Sequence, residues 1–287
     1  LSDPFTWADM VNDLKSQPGF VDHFQIWVFQ YPTGRAFVNS AAALRQRLAL
    51  AQQTFDPLGY DRQFSNMVLI GHSMGGLVAK LQVTHSGDRL WRSVANRPLE
   101  QIKVSDSLRR DLRDSFFFEP LPMVSRVIFI ATPHRGSAYS RLPVGKLGSA
   151  LVKVPEQQRR EYERVIRCNP GAFRPELRQR IPTSIDLLDP ESPLLASIDS
   201  LPICEHVTAH SIIGDYCWRP SLGRSDAIVP VASARLDGVH SERVIKATHG
   251  QANKSPEAIG EVLRILRQHV QQHDQEAVEP IAASLAS

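Results

Sequence analysis

A chain of 287 residues, 42% apolar and 22% charged, is long and apolar enough to bury a sizeable core, which excludes wholesale disorder. A net charge of +3 gives no global support to a nucleic-acid partner, and three widely spaced cysteines, Cys168, Cys204 and Cys217, exclude a disulfide framework while leaving room for one bridge. No run of 18 apolar residues is present to span a bilayer, no zinc spacing appears, and nothing in the pattern of His, Cys and acids asks for a metal or cofactor.

In chain order, Thr6 and Asp9 form a variant capping box, with Trp7, Met10, Val11 and Leu14 at helical spacing until Pro18-Gly19. The aromatic and β-branched run Phe24-Gln25-Ile26-Trp27-Val28-Phe29 predicts a strand, closed by Tyr31-Pro32-Thr33-Gly34. A helix follows from about Asn39 to Thr54, a turn at Asp56-Pro57-Leu58-Gly59, and then the apolar strand Met67-Val68-Leu69-Ile70. Further strands are expected at Arg126–Ala131, Val207–Ile213 and Arg243–Lys246, and a last helix is capped by Ser255-Pro256-Glu257 with the stripe Ile259, Val262, Leu263, Leu266 and Val270. After about Gln275 the tail is expected to fray.

Strands alternating with helices predict a parallel sheet with helices on both faces, since parallel strands need crossover connections. Sites in such sheets lie at the strand C-terminal ends. Two stretches break the alternation, about 85–122 and about 139–202; eleven of the twenty prolines fall between Pro120 and Pro202. The expectation is one domain over 1–287 carrying these two insertions as a lid or cap, with Gly136-Ser137 as the hinge of the larger one.

The chemistry concentrates at Gly71-His72-Ser73-Met74-Gly75-Gly76, directly after an apolar strand and before the helix-like Leu77-Val78-Ala79-Lys80-Leu81. A serine on a sharp strand-to-helix turn stands clear of the sheet, and small residues two positions either side relieve the crowding there. Ser73 is therefore the candidate nucleophile, and the Met74 N–H at the helix start a candidate donor to an oxyanion. A serine hydroxyl needs a histidine to take its proton and a buried acid to orient that histidine. Two acids follow the Val207–Ile213 strand, Asp215 and Asp226; Asp226 is preferred because Ala227-Ile228-Val229-Pro230 can pack its loop down and shield the carboxylate. Of ten histidines, His249 in Thr248-His249-Gly250 stands after the last strand and is the candidate base, with His240 the competitor before that strand. His72 and His134 are expected to line the pocket without moving the proton.

These four blocks, Gly71–Gly76, Ala131-Thr132-Pro133-His134-Arg135-Gly136-Ser137, Ser225–Pro230 and Thr248-His249-Gly250, resemble the α/β-hydrolase superfamily, and within it bacterial lipase/esterase-like serine hydrolases related to the PGAP-type and triacylglycerol lipases. The resemblance covers nearly the whole chain outside the insertions. It implies the α/β-hydrolase fold, Ser73 as nucleophile, Asp226 as acid, His249 as base, Met74 as one oxyanion donor, and cleavage of carboxylic esters without a cofactor or metal. Thioesterase, amidase or acyltransferase chemistry on the same three residues, or a binding scaffold without catalysis, are the alternatives.

The family's first core strand, ending in His-Gly, has no counterpart in this sequence, and Leu1 is the candidate remnant of the second oxyanion donor. The chain begins without an initiator Met, so upstream residues are expected and the compartment stays undecided. Phe116-Phe117-Phe118 is read as core packing before an acyl pocket, and the seven arginines between Arg159 and Arg180 as a solvated face before a lipid-attracting one. A small ester substrate, lipid-like in the favoured case, is the expected partner, with peripheral membrane contact through the lid.

Overall fold

A computed structural model describes residues 4–32, 35–141, 156–178, 182–220 and 223–285. Its centre is a parallel sheet of four strands in the order β1 (Met67–His72), β2 (Val124–Ile130), β3 (Thr208–Gly214) and β6 (Ser241–Ile245), with a short antiparallel hairpin, β4 (Cys217–Arg219) and β5 (Gly223–Ser225), between the last two in sequence. Register runs Ile70 beside Ile128, Ile128 beside His210 and Ser211 beside Glu242, which brings the ends of β1 and β3 to one pole.

The period of two along β2 assigns its side chains to opposite faces. Val127 and Phe129 enter one buried cluster, and Ile128 and Ile130 another. Helices cover both faces. They are α1 (Ala8–Ser16), α2 (Phe20–His23), α3 (Phe37–Phe55), α4 (Met74–Lys80), α5 (Arg89–Val94), α6 (Asp106–Phe116), α7 (Glu156–Cys168), α8 (Ser184–Leu187), α9 (Pro193–Asp199), α10 (Val231–Ala234) and α11 (Pro256–Leu285). The first cluster takes Phe37, Val38, Ala41, Leu44 and Leu48 from α3 with Leu77 and Val78 from α4; the second takes Met10 and Leu14 from α1 with Ile259, Val262, Ile265 and Leu266 from α11. These are the i, i+3, i+4 stripes that amphipathic helices bury.

Residues 24–32 differ from the sequence expectation. They are extended but pair with no strand among the described residues, and β1 forms the edge of the sheet. Their side chains serve both faces: Phe24 and Ile26 pack on the α1/α11 side, Phe29 and Tyr31 on the α3/α4 side. Strand propensity describes a fit to a pleated surface, and only a hydrogen-bonded neighbour turns it into a strand. Trp27 instead stays half exposed, edge-on to Phe55 at 5.9 Å and to Phe64 at 6.3 Å. Thr6 does not cap α1: the chain is already turning as a 3-10 helix from Pro4 to Trp7, and Trp7 occupies the N-cap without a side-chain bond. The last helix runs on to Leu285, past the point where fraying was expected.

Residues 85–122 supply Leu90, Trp91, Val94, Leu99, Ile102 and Phe116 to the main core. Phe116 meets Trp91 edge-on at 5.5 Å, and the Arg45 guanidinium lies 3.8 Å over the Phe118 ring, so the triple phenylalanine packs instead of opening a pocket. Within 139–202, Leu194, Leu195 and Ile198 of α9 are buried, while Arg159 and Arg160 of α7 pair at the surface with Glu156. Gly136 and Ser137 are clamped, with no hinge slack. A Cβ on Gly136 would stand 2.6 Å from the Leu188 carbonyl oxygen, and the Ser137 N–H donates to the same oxygen at 2.9 Å. Cys168, Cys204 and Cys217 are unbridged. No helix among the described residues is long and apolar enough to cross a membrane.

Candidate active site

Ser73 closes β1 and opens α4 with φ 55° and ψ −130°, a conformation that L side chains rarely adopt. Such strain persists only where neighbours over-determine it. Here they do: the Ser73 N–H donates to the Ile130 carbonyl at 2.8 Å, tying the turn to β2, and a Cβ on Gly71 would stand 2.5 Å from the Gly75 carbonyl oxygen. Gly76 has no room either, since its missing Cβ would overlap the Thr132 side chain. The outcome is a serine lifted off the sheet at the first turn of a helix, where Met74 N–H has no intrahelical partner.

The acid arrives by a second device. After β3 the β4–β5 hairpin delivers Asp226, which is 1% exposed. Its Oδ1 accepts from the Ile228 and Val229 N–H groups at 2.9 and 2.6 Å, a tight loop that requires Ala227 at φ 81°. Gly214, at the end of β3, makes the room: a Cβ there would fall 2.7 Å from the Asp226 Cβ. The His249 N–H donates to the Asp226 carbonyl at 2.8 Å, so backbone as well as side chain joins the two loops.

Side chains then line up. His249 Nδ1 lies 2.7 Å from Asp226 Oδ2, and His249 Nε2 lies 2.8 Å from Ser73 Oγ. A carboxylate only accepts, so Nδ1 carries the ring proton and Nε2 presents its lone pair to the serine hydroxyl. His72 backs this arrangement. Its Nε2–H donates to the His249 carbonyl at 2.9 Å, with the two rings 5.0 Å apart, and burial first, then the neighbouring His249, pushes its pKa down to about 4. It stays neutral while it holds His249. An arrangement of this kind can withdraw a proton from Ser73 Oγ as it attacks and stabilise the imidazolium that results.

The other candidates stand elsewhere. Asp215 pairs with the exposed Arg224, Nε to Oδ2 at 2.9 Å. His240 lies at the opposite end of β3, beside His210 at 5.5 Å between ring centroids. His134 does not line the site as expected: it is fully buried, edge-on to Phe129 at 4.8 Å, with burial and then the Lys80 and Arg135 cations holding its pKa well below the usual range. Leu1 lies outside the described residues. Sequence reasoning missed Gly214, whose one signal was a glycine at the end of a predicted strand. Among the described residues no three His, Cys, Asp or Glu side chains group as a metal site.

No family model matches the chain, and no curated protein matches its sequence. Solved structures do match. The lipase BlEst2 of Bacillus licheniformis in its mature form superposes with a TM-score of 0.52 at 14% identity, over 92% of this chain and 87% of that one. The fold is the α/β-hydrolase fold. The propeptide form of the same lipase gives 0.50 at 15% identity, over 88% of this chain and 45% of that one. Phospholipase PlaB of Legionella pneumophila matches at 16% identity and a TM-score of 0.44, over 82% and 43%. Ser73 and His249 follow the C-terminal ends of β1 and β6 of the sheet, and Asp226 follows the β4–β5 hairpin that comes after β3.

Proposed function

We propose that this chain is a serine hydrolase of carboxylic esters working through an acyl-enzyme. The observation that carries the reading is the continuous hydrogen-bonded chain from Asp226 Oδ2 through His249 to Ser73 Oγ, ending on a strained serine at a helix N-terminus. His249 takes the hydroxyl proton as Oγ bonds to the ester carbon. The carbonyl electron pair moves onto oxygen, and the oxyanion accepts from Met74 N–H in the field of α4. Collapse expels the alcohol, protonated by His249. Water then attacks the acyl group with the same base, and the acid leaves. Asp226 fixes the tautomer of His249 and offsets the charge of the imidazolium.

The name lipase on the neighbour at TM-score 0.52 favours esters of lipid type within this reading. In the same reading residues 1–287 act as one catalytic domain whose insertions, about 85–122 and about 139–202, serve as a lid or cap, and any contact with a membrane surface is made through that lid. The test is labelling by a fluorophosphonate probe beside a Ser73→Ala control, followed by p-nitrophenyl esters of rising chain length. Labelling and turnover that vanish in Ser73→Ala are expected. Thioester or amide cleavage exceeding ester cleavage would move the leaving group, and failure of the wild-type chain to label would replace catalysis with a binding role.

A further inference from the structure

Lys80 ends α4, the helix that Ser73 opens, and it is fully buried. Its Nζ donates to the main-chain carbonyl of Asp199 at 3.0 Å, and Asp199 ends α9, so the ammonium caps a helix of the larger insertion. Asp199 is held from a second side as well. Arg135, in the loop after β2, donates through Nε to Asp199 Oδ2 at 3.1 Å and through Nη2 to Asp237 Oδ2 at 3.4 Å. Asp199 Oδ1 is buried without a hydrogen-bond partner among the described residues, which leaves Lys80 and Arg135 as the cations that balance the carboxylate. Two further groups face this junction: the ring of His134, and from α3 the Arg45 guanidinium, which donates to the neighbouring Leu81 carbonyl at 2.8 Å. Burying an ammonium is costly even when it is paired. A methionine of about the same length would fill the space without that cost, so packing does not account for the charge.

We infer that Lys80 is a positioning residue: its ammonium fastens the far end of α4 to α9, and Ser73 keeps its attacking geometry only while that charge is present; this rests on the reading of Ser73 as nucleophile. α4 is a short helix fixed at both ends, by the Ser73 N–H on the Ile130 carbonyl at 2.8 Å and by Lys80 on Asp199. The strained φ of 55° at Ser73 persists because its surroundings over-determine it. With the far anchor gone, α4 can turn about the near one, and a small misplacement of Oγ against His249 is costly. The anchor is also sensitive to alkali. Burial pushes the Lys80 pKa down to about 8, with Asp199 opposing the shift and Arg135 adding to it, so the charge is present at neutral pH and is lost as pH rises through that value. His134, held well below its usual range, and Arg45, lowered to about 10, titrate outside this interval.

The test compares wild type, Lys80→Met and Asp199→Asn. Turnover of p-nitrophenyl esters and the rate of fluorophosphonate labelling are measured from pH 6.5 to 9, with Tm at pH 7 beside them. Wild-type kcat is expected to fall on an alkaline limb with its midpoint near about 8. Lys80→Met is expected to lose that limb and to run about tenfold below wild type at pH 7, with KM within about twofold and Tm within about 2 °C of wild type or above it, since a buried charge has gone. Asp199→Asn keeps the carbonyl that Lys80 reaches and removes the carboxylate that favours its proton, so the midpoint is expected to move down by about half a pH unit or more. This second variant decides the matter if Lys80→Met does not fold. A Lys80→Met kcat within twofold of wild type overturns the assignment, as does an alkaline limb that survives in that variant or stays in place in Asp199→Asn. A loss of kcat matched by a large fall in Tm marks a packing role and overturns it too. Wild-type turnover and labelling that survive Ser73→Ala overturn the serine reading itself, and that control shows it without any Lys80 variant.

Discussion

His72 Nε2 donates to the main-chain carbonyl of His249 at 2.9 Å while its ring lies against the His249 ring, so the residue before the serine holds the residue that faces the serine. Both loops are thereby fixed to each other through a group that touches no reacting atom. His72→Ala removes the bond and the ring contact and is expected to lower kcat about tenfold, because small misplacements of a base are costly. His72→Gln retains an N–H donor and is expected to recover part of the loss. Equal activity of His72→Ala and wild type in an ester assay would remove the positioning role.

The room for Asp226 depends on one glycine. A Cβ on Gly214 would stand 2.7 Å from the Asp226 Cβ and 3.0 Å from the Ala247 carbonyl oxygen, and Asp226 is held in place by the Ile228 and Val229 N–H groups and by His249. Gly214→Ala is expected to lower kcat by at least about 10²-fold by displacing the acid, and to lower Tm by several degrees through overpacking of about 1–3 kcal/mol. Retained kcat with lowered Tm would show that the loop yields without disturbing His249.

Much of this was legible in the sequence where the cause is local. Gly71, Ser73, Gly75 and Gly76 announce a crowded turn within six residues, and the stripe Ile259, Val262, Leu263 and Leu266 announces the buried face of α11. The strand after Thr208 and the loop at Asp226 were read from apolar runs and turn residues, since period two and Asx chemistry also act over a few positions. What was not legible depends on partners far off in the chain. Phe24–Phe29 has strand composition but no described neighbour to pair with, and Thr6 has capping chemistry but sits inside a turn begun by Pro4. His134 lies in the loop that follows the Arg126–Ala131 strand at the catalytic edge, which predicts a pocket-lining residue, yet the ring turns inward onto Phe129. Gly136-Ser137 opens the larger insertion, and that position alone predicts a hinge, but the close contact of Gly136 with Leu188, 52 positions later, clamps it.

The two acids that follow β3 predict opposite outcomes. Asp226 is buried with both oxygens engaged, by two backbone N–H groups and by His249, whereas Asp215 pairs with the exposed Arg224. Asp226→Asn is expected to cost roughly 10³–10⁴ in kcat, because the amide permits the wrong tautomer of His249. Asp215→Asn is expected to stay within about twofold in kcat, as an exposed ion pair contributes at most about 1 kcal/mol. The reverse order of effects would make Asp215 the acid.

The far pole of the sheet carries an acid-sensitive network unconnected to Ser73. Arg126 is 2% exposed and donates through Nη1 to His210 Nε2 at 2.6 Å, through Nε to His269 Nδ1 at 3.3 Å, and through Nη2 to Gln272. Each histidine spends its one ring proton elsewhere: His210 Nδ1–H on Ser241 Oγ at 2.7 Å, His269 Nε2–H on the Asn66 carbonyl at 3.1 Å. Both must be neutral to accept from the guanidinium. Burial first, then Arg126, lowers His210 to about 3 and His269 to about 4; His240, Arg264 and His273 add to the positive surroundings. An unfolded histidine titrates near 6.5. Between that value and about 4 the unfolded chain therefore binds protons that the folded chain refuses, so stability is complete above about pH 6.5 and falls as pH falls through that window. Tm measured from pH 7.5 to 4.5 is expected to drop, and His269→Gln, whose amide can accept from Arg126 and donate to Asn66 without titrating, is expected to flatten that drop. Parallel Tm curves for the two proteins would place the acid sensitivity outside this network.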